Sequence, residues 1–214
     1  MRNILGGIFM AGLILVAALG PTGCTTVLTE TAKKAFEDRT TGDQVTDTKI
    51  GTGILAGLAD KDKNLLLDVN ADVWEQRVLL TGTLDDPKTK QDVVQLVRGD
   101  QRIRKLYDEI QIVTKAELAQ RREAAKSKDE PKKDGVGQAV NDFWIETKIS
   151  AQLITTPHVT SVNYRWRSVR NIVYLIGRAR SQEELNTVLE TIRATEGVKQ
   201  VKSFVDIKPL PKTG

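Results

Sequence analysis

The chain is poor in the residues that build reactive or cross-linked sites. Its 214 residues include one cysteine and one histidine. A lone cysteine excludes a disulfide framework, and with so few thiols and imidazoles there is no ligand set for a structural zinc. His158, which follows Pro157, has neither metal partners nor a nucleophile to serve, and no role is assigned to it. The acidic group Asp60, Asp62 and Asp68 lacks the twelve-residue loop and terminal glutamate of a calcium site. P-loop, dinucleotide and nucleophile-elbow motifs are absent. The expectation is a protein that is not an enzyme and has no metal and no cofactor. Aromatic residues make up only 5%, so each tryptophan stands out.

Apolar runs are also scarce, except at the start. Arg2 precedes a mostly apolar stretch from Ile4 to Leu19, followed by Pro21-Thr22-Gly23-Cys24. A basic start, a short apolar run and small residues at its end read as a secretory signal. The run is short for a spanning helix and is broken by Gly6, Gly7 and Gly12. The only cysteine stands where the signal ends. This is similar to a lipobox, in which the cysteine becomes the acylated first residue of the mature protein, with palmitate among its chains. Pro21 stands where that motif usually has leucine. An ordinary cleaved signal, or an uncleaved anchor with Cys24 incidental, is the alternative.

What the sequence does contain is the same segment twice. Asp47-Thr48-Lys49-Ile50 recurs as Glu146-Thr147-Lys148-Ile149, an offset of 99. Val78-Leu79-Leu80-Thr81-Gly82 recurs as Val173-Tyr174-Leu175-Ile176-Gly177, an offset of 95. Ile103-Arg104-Lys105-Leu106 recurs as Val198-Lys199-Gln200-Val201, again at 95. These offsets imply one loop four residues shorter in the second copy. Apolar residues shared by both copies read as core, and those carried by one copy read as candidates for function.

Each copy is expected to run α-β-β-α-β. Ile50, Ile54 and Leu58 place a core face on a first helix, about Val45 to Leu58. Val69, Ala71 and Val73 alternate with polar residues, and Val78 and Leu80 continue across a turn. Asp85-Asp86-Pro87 opens a second helix, and Leu106–Val113 forms the last strand. In the second copy the helix spans Gln138 to Ile154, with strands Val162–Arg167, Ile172–Gly177 and Val201–Lys208. Ser181 caps Gln182–Ala194 with Glu184 as its capping-box partner. The fold class is therefore α+β: two αββαβ domains, each a three-stranded sheet with two helices on one face. The expected boundaries are a signal peptide over 1–23, a lipidated tether over 24–42, domain 1 over 43–114, a charged linker over 115–137 and domain 2 over 138–210. The tether starts helical around Thr29–Phe36, and the linker is partly helical with disorder near Ser127–Gly137.

Charge separates the copies. Residues 24–114 hold 13 Lys+Arg against 16 Asp+Glu, whereas 138–214 hold 11 against 7. A basic second domain beside an acidic first one points to a negatively charged partner. Anionic lipid headgroups are available outside the cytoplasm, and nucleic acid is not expected there.

The first helix of the second copy carries two apolar stripes. Ile145, Ile149 and Leu153 form one, matched at the offset of 99 by Thr46, Ile50 and Ile54. Val140, Phe143, Trp144, Ala151 and Ile154 form the other, matched by Thr41, Gln44, Val45, Thr52 and Leu55. Docking on a sheet uses only one stripe. The second meets either a membrane surface or another protein surface, the first domain included. Tryptophan suits the headgroup region because its ring is apolar and its N–H polar. Lys148, Arg165, Arg167 and Arg170 are candidates for attracting phosphates. Equally open is a solvated hairpin at Arg165–Arg170, with Trp166 in the core.

The motif Val78–Gly82, its counterpart Val173–Gly177, and the late Gly197-Val198-Lys199-Gln200-Val201 resemble the hallmarks of the BON domain. Copy one departs from it, with Gln101 and Arg102 before Ile103 in place of the late glycine. The signal, the cysteine and two such domains together resemble the tandem BON-domain lipoproteins of Gram-negative envelopes. In these, a helix similar to Asn141–Ile149 inserts at anionic phospholipid with a tryptophan at the place of Trp144. The long charged spacer departs from them. The resemblance implies an envelope lipoprotein that binds anionic phospholipid through domain 2 and supports outer-membrane integrity under stress. It also leaves room for envelope protein partners. The alternative is a periplasmic interaction scaffold. Thr25 after the cysteine, where retention in the inner membrane would call for aspartate, implies the outer membrane.

Overall fold

A computed structural model describes residues 37–126 and 138–210. The expected signal peptide, Cys24, the tether helix expected at Thr29–Phe36 and the part of the expected linker over 127–137, the stretch of expected disorder, lie outside the described residues. The order of elements is α1 (Thr41–Lys61), α2 (Leu65–Asp68), β1 (Val69–Trp74), β2 (Arg77–Leu84), α3 (Pro87–Arg98), β3 (Lys105–Ile112), α4 (Lys115–Lys126), α5 (Gln138–Thr155), β4 (Tyr164–Val169), β5 (Ile172–Ala179), α6 (Gln182–Ala194) and β6 (Gln200–Ile207). A 3₁₀ turn at Ser161–Asn163 leads into β4 and displaces that strand two residues beyond the expected start.

Each copy is αββαβ around a three-stranded sheet. β1 and β2 pair antiparallel, and β3 returns parallel to β2 after the α3 crossover. β4, β5 and β6 repeat this order. Local chemistry explains the ends. Thr40 caps α1 by accepting the Asp43 N–H, and Asp86 caps α3 by accepting from Lys88 and Thr89, with Pro87 in the first turn. Ser181 accepts the Glu184 N–H; the Glu184 carboxylate then takes the Arg180 and Thr160 N–H groups. Both hairpins use two-residue turns at positive φ, Glu75-Gln76 and Arg170-Asn171.

The motif glycines have a steric cause. Gly82 and Gly177 sit at φ +126° and +155°, opposite the first residues of β1 and β4. A Cβ there would lie 2.0 Å from the Asp68 carbonyl oxygen, or 2.2 Å from that of Asn163. No side chain fits, so the β2 and β5 motifs end in glycine.

The helix register corrects the offset of 99. Asp47 accepts the N–H groups of Glu75 and Gln76, and Asp142 accepts those of Arg170 and Asn171. The core faces are Ile50, Ile54, Leu58 and Ile145, Ile149, Leu153. Every one of these pairs is 95 apart, so the loops do not differ by four residues. Four residues is close to one helical turn, so a slip of that size preserves the faces while mismatching every residue. The short match Thr-Lys-Ile is one turn out of register.

The helix-free faces of the two sheets are not left to solvent. Side chains alternate strictly along the strands. Val69, Val78, Leu80 and Ile110 face α1 and α3, and Tyr164, Val173, Leu175 and Ala179 face α5 and α6. The opposite faces supply a third core that joins the copies: Trp74 and Leu79 with Val169, Tyr174 and Ile176, flanked by Tyr107, Ile172 and Phe204. β2 is consequently buried along its whole length. The joint has approximate two-fold symmetry. Tyr107 packs on Phe204 with ring centroids 4.4 Å apart, and the symmetry-related pair is Lys202 with Glu109, bonded at 2.7 Å. Asp72 and Arg167 are equivalent positions, and they pair with each other at 3.2 Å, which puts them beside the axis. Arg77 crosses the seam and donates to the carbonyls of Gly177 and Phe204 at 2.7 and 2.8 Å.

The helix α4 belongs to the folded body. Leu118 is buried, Arg121 pairs with Asp142 at 2.8 Å, and Arg122 pairs with Asp68 at 2.6 Å. The charged run after β3 is thus a docked helix over Lys115–Lys126.

Candidate functional site

The apolar stripe of α5 lies outside the core cluster of the second domain. At about 100° per residue, Phe143, Trp144, Ala151 and Ile154 lie opposite the Ile145–Ile149–Leu153 core face. The first domain packs on the far side of the sheet from α5, so its sheet does not cover this stripe. Ile154 is 67% exposed and Ala151 is exposed, whereas Phe143 and Trp144 are half-buried. Their rings meet edge to face at 5.4 Å. The Trp144 indole N–H is shielded from solvent and has no acceptor among the described residues. Val140 lies in α5, and its side chain is outside the described ones.

The corrected register sharpens the comparison between copies. At an offset of 95, the counterparts of Phe143, Trp144, Ala151 and Ile154 are Thr48, Lys49, Ala56 and Ala59. Both aromatics are therefore confined to the second copy, facing a hydroxyl and an ammonium in the first. The counterparts named from the offset of 99 were one turn away.

The basic residues separate into two groups. Lys148 lies on α5 beside the stripe, paired with Glu196 at 2.6 Å. Arg165, Arg167 and Arg170 are turned the other way. They are on, or just after, the β4 positions that face domain 1. Arg165 pairs with Glu37 and lies over the Trp74 ring at 5.4 Å. Arg167 pairs with Asp72, which, with Glu146, raises the guanidinium's already high pKa. Arg170 pairs with Glu117 of α4 at 3.1 Å and donates to Gln111 at 3.2 Å. The three arginines clamp the domains together and do not converge with the stripe. Trp166 occupies the helix-side core, half-buried, with its N–H donated to the Glu146 carbonyl at 3.3 Å. The solvated-hairpin alternative thus gives Trp166 its right place but leaves out the interdomain pairing.

Glu146 stands between these groups. Burial pushes its carboxyl above the ordinary range, while the Ser168 N–H and Arg167 pull it back. His158 is exposed in the loop after α5 at φ +62°. No group of three or more metal-ligating side chains occurs among the described residues. No described helix is long and apolar enough to cross a membrane.

This geometry defines a class: paired αββαβ domains that share a sheet-to-sheet core and turn their helices outward, one of them with a spare apolar face. The chain belongs to the BON domain family, whose model matches residues 46–114 and again 141–209. An uncharacterized protein from the gshII 5′ region of Anaplasma centrale is 32% identical over 136 residues, covering 64% of this chain and 79% of its own. The outer membrane lipoprotein DolP of Haemophilus influenzae is 24% identical over 172 residues, 79% of each chain. A 21 kDa hemolysin of Actinobacillus pleuropneumoniae is 25% identical over 175 residues, covering 81% of this chain and 80% of that one. Among solved structures, CdsD of the Chlamydia trachomatis type III secretion system is 12% identical and covers 72% of this chain and 93% of its own, with a TM-score of 0.30. That score is too low to inform the fold.

Proposed function

We propose that the protein is an outer-membrane lipoprotein that faces the periplasm, is acylated at Cys24, touches anionic phospholipid through the outer face of α5, and helps maintain the envelope barrier. The observation that carries this reading is the aromatic pair Phe143–Trp144 with Ala151 and Ile154, on a helix face outside the second domain's core cluster, with aromatics that the first copy does not have at the equivalent positions. The similarity to an outer membrane lipoprotein over most of the chain supports the location. Two acyl chains give stable attachment where one is marginal. Tethering raises the local concentration of the weaker helix contact.

Lys148, with the second domain's net positive charge, supplies the attraction to phosphate in this reading. Arg165, Arg167 and Arg170 act indirectly, by holding the sheet behind α5. The salt dependence is accordingly shallow, that of one or two screened charges.

The test is vesicle co-sedimentation of the chain from residue 25 onward, which lacks the anchor and keeps the shared core. Trp144→Glu is expected to reduce binding to vesicles containing anionic phospholipid by tenfold or more. Removing the buried ring costs about 2 kcal/mol by area, and phosphate repels the new charge. The variant's melting temperature should stay within a few degrees of wild type. Wild-type binding by Trp144→Glu would favour the other reading of the stripe, a docking face for an envelope protein.

A further inference from the structure

Three arginines that only the second copy carries converge on two residues ahead of the first copy, Glu37 and Asp38. Asp38 accepts from Arg180 at 2.6 and 2.9 Å and from the Asn163 amide at 2.8 Å, and its own N–H donates to the Asn163 Oδ1 at 2.8 Å. Arg178 donates to the Asp38 carbonyl at 2.9 Å. Glu37, which is buried, pairs with Arg165 and with Arg39. Arg39 continues to Asp47 of α1 and stacks on Trp74 at 4.5 Å. At the offset of 95, Asn163, Arg165, Arg178 and Arg180 correspond to Asp68, Asn70, Thr83 and Asp85. None of those is basic, so the fold itself does not demand the cradle. The guanidinium of Arg180 also holds the Asp38 carboxyl below the usual range, as expected of a pair formed in the folded protein.

We infer that Glu37-Asp38-Arg39 is a strap that fixes where the membrane tether leaves the folded body: on the second domain, at the ends of β4 and β5, although the first domain follows it in sequence. The membrane end of this inference rests on the proposed acylation of Cys24. The separation from Cys24 to Glu37 is 13 residues, and a chain of that length spans at most about 45 Å. Anchoring through the strap therefore keeps the ends of β4 and β5 that hold it within that distance of the bilayer. The strap also joins the copies, since Arg39 is held by domain 1 and Glu37 and Asp38 by domain 2. Without the strap, the tether would lead to α1, and the second domain would be held to the membrane only through the first.

The experiment uses the acylated full chain in phospholipid vesicles, with two readouts. The first is hydrogen exchange at the Asp38 amide. It should be slowed at least tenfold relative to an unstructured peptide, lose that protection in Asp38→Lys and in Arg180→Glu, and regain it in the charge swap Asp38→Arg with Arg180→Asp. The second is quenching, by brominated lipid, of a fluorophore on Thr147→Cys, an exposed position on the outer face of α5. Quenching should fall at least twofold in Asp38→Lys and recover in the swap. Exchange of the wild-type Asp38 amide at the peptide rate would overturn the strap. A protected amide with quenching unchanged in Asp38→Lys would overturn its role in placing the second domain. A protected amide with no quenching even in wild type would leave the strap standing and overturn the membrane reading.

Discussion

Ile149→Asp is expected to abolish the cooperative folded state. Ile149 is 0% exposed at the centre of the α5 core face, packed among Tyr164, Val173 and Leu175 of the same apolar cluster. No basic side chain lies in that cluster to pair with a carboxylate, and burying one without a counter-charge costs several kcal/mol or forces the helix off its sheet. A domain of this size has little more stability than that to lose. The shared core of Trp74, Leu79, Tyr174 and Ile176 makes the consequence larger than one domain. If the second sheet loosens, the first loses the cover of its helix-free face, so both should unfold in one transition. Ile50→Asp, the equivalent position in register with Ile145, should act in the same way from the other side. The control is Ile154→Asp on the outer face of α5, which should change stability by no more than about 0.5 kcal/mol. Circular dichroism against guanidinium concentration measures all three. A second transition, belonging to an intact first domain, would show that the sheets do not depend on one another.

Asp142→Ala should be nearly as damaging, for a polar reason. The Asp142 carboxylate accepts the N–H groups of Arg170 and Asn171 at 2.8 and 2.9 Å, the Ser168 hydroxyl at 2.8 Å and the Arg121 guanidinium at 2.8 Å. One side chain thus pins the β4–β5 hairpin to α5 and α5 to α4. Alanine leaves the hairpin donors without an acceptor and Arg121 without its counter-charge. Orphaned buried donors cost about 1–3 kcal/mol each, and breaking a buried pair from one side costs about 3–5 kcal/mol. A loss of about 4 kcal/mol is therefore expected in urea denaturation. Asp47→Ala should lose a similar amount, since Asp47 holds the Glu75 and Gln76 N–H groups at 2.7 Å and pairs with Arg39. A loss under about 1 kcal/mol in both would mean that the hairpins keep their turns without the carboxylates.

The sequence carried the αββαβ order because its signals are local. The caps at Asp86 and Ser181, the alternation in β1 and the two glycine motifs are each read within a few residues. The helix faces were legible too, but their pairing between copies slipped by one turn. A helical repeat hides such a slip, and only the hairpin bonds of Asp47 and Asp142 set the register. The shared core also has a signal in the sequence. Leu79 interrupts the alternation of β2, and Ile172-Val173-Tyr174-Leu175-Ile176 is apolar without a break, the mark of a strand covered on both faces. Of the candidate site, the Phe143–Trp144 stripe was legible from helical spacing. The destination of Arg165, Arg167 and Arg170 was not, because their acceptors Glu37, Asp72 and Glu117 lie from about 50 to about 130 residues away along the chain. Alternation gave their face and could not give what that face meets.

Whether one face of one helix meets the membrane is tested residue by residue by paramagnetic relaxation from lipid-borne spin labels. The folded chain from residue 25 onward is mixed with anionic vesicles doped with a headgroup-labelled phospholipid, and amide signals are followed. The expected result is attenuation concentrated at Phe143, Trp144, Thr147, Ala151 and Ile154. The equivalent positions Thr48, Lys49, Ala56 and Ala59 of α1 should stay sharp, as should the Arg165–Arg170 hairpin. Attenuation at α1 equal to that at α5, or confined to the arginine hairpin, would contradict the account.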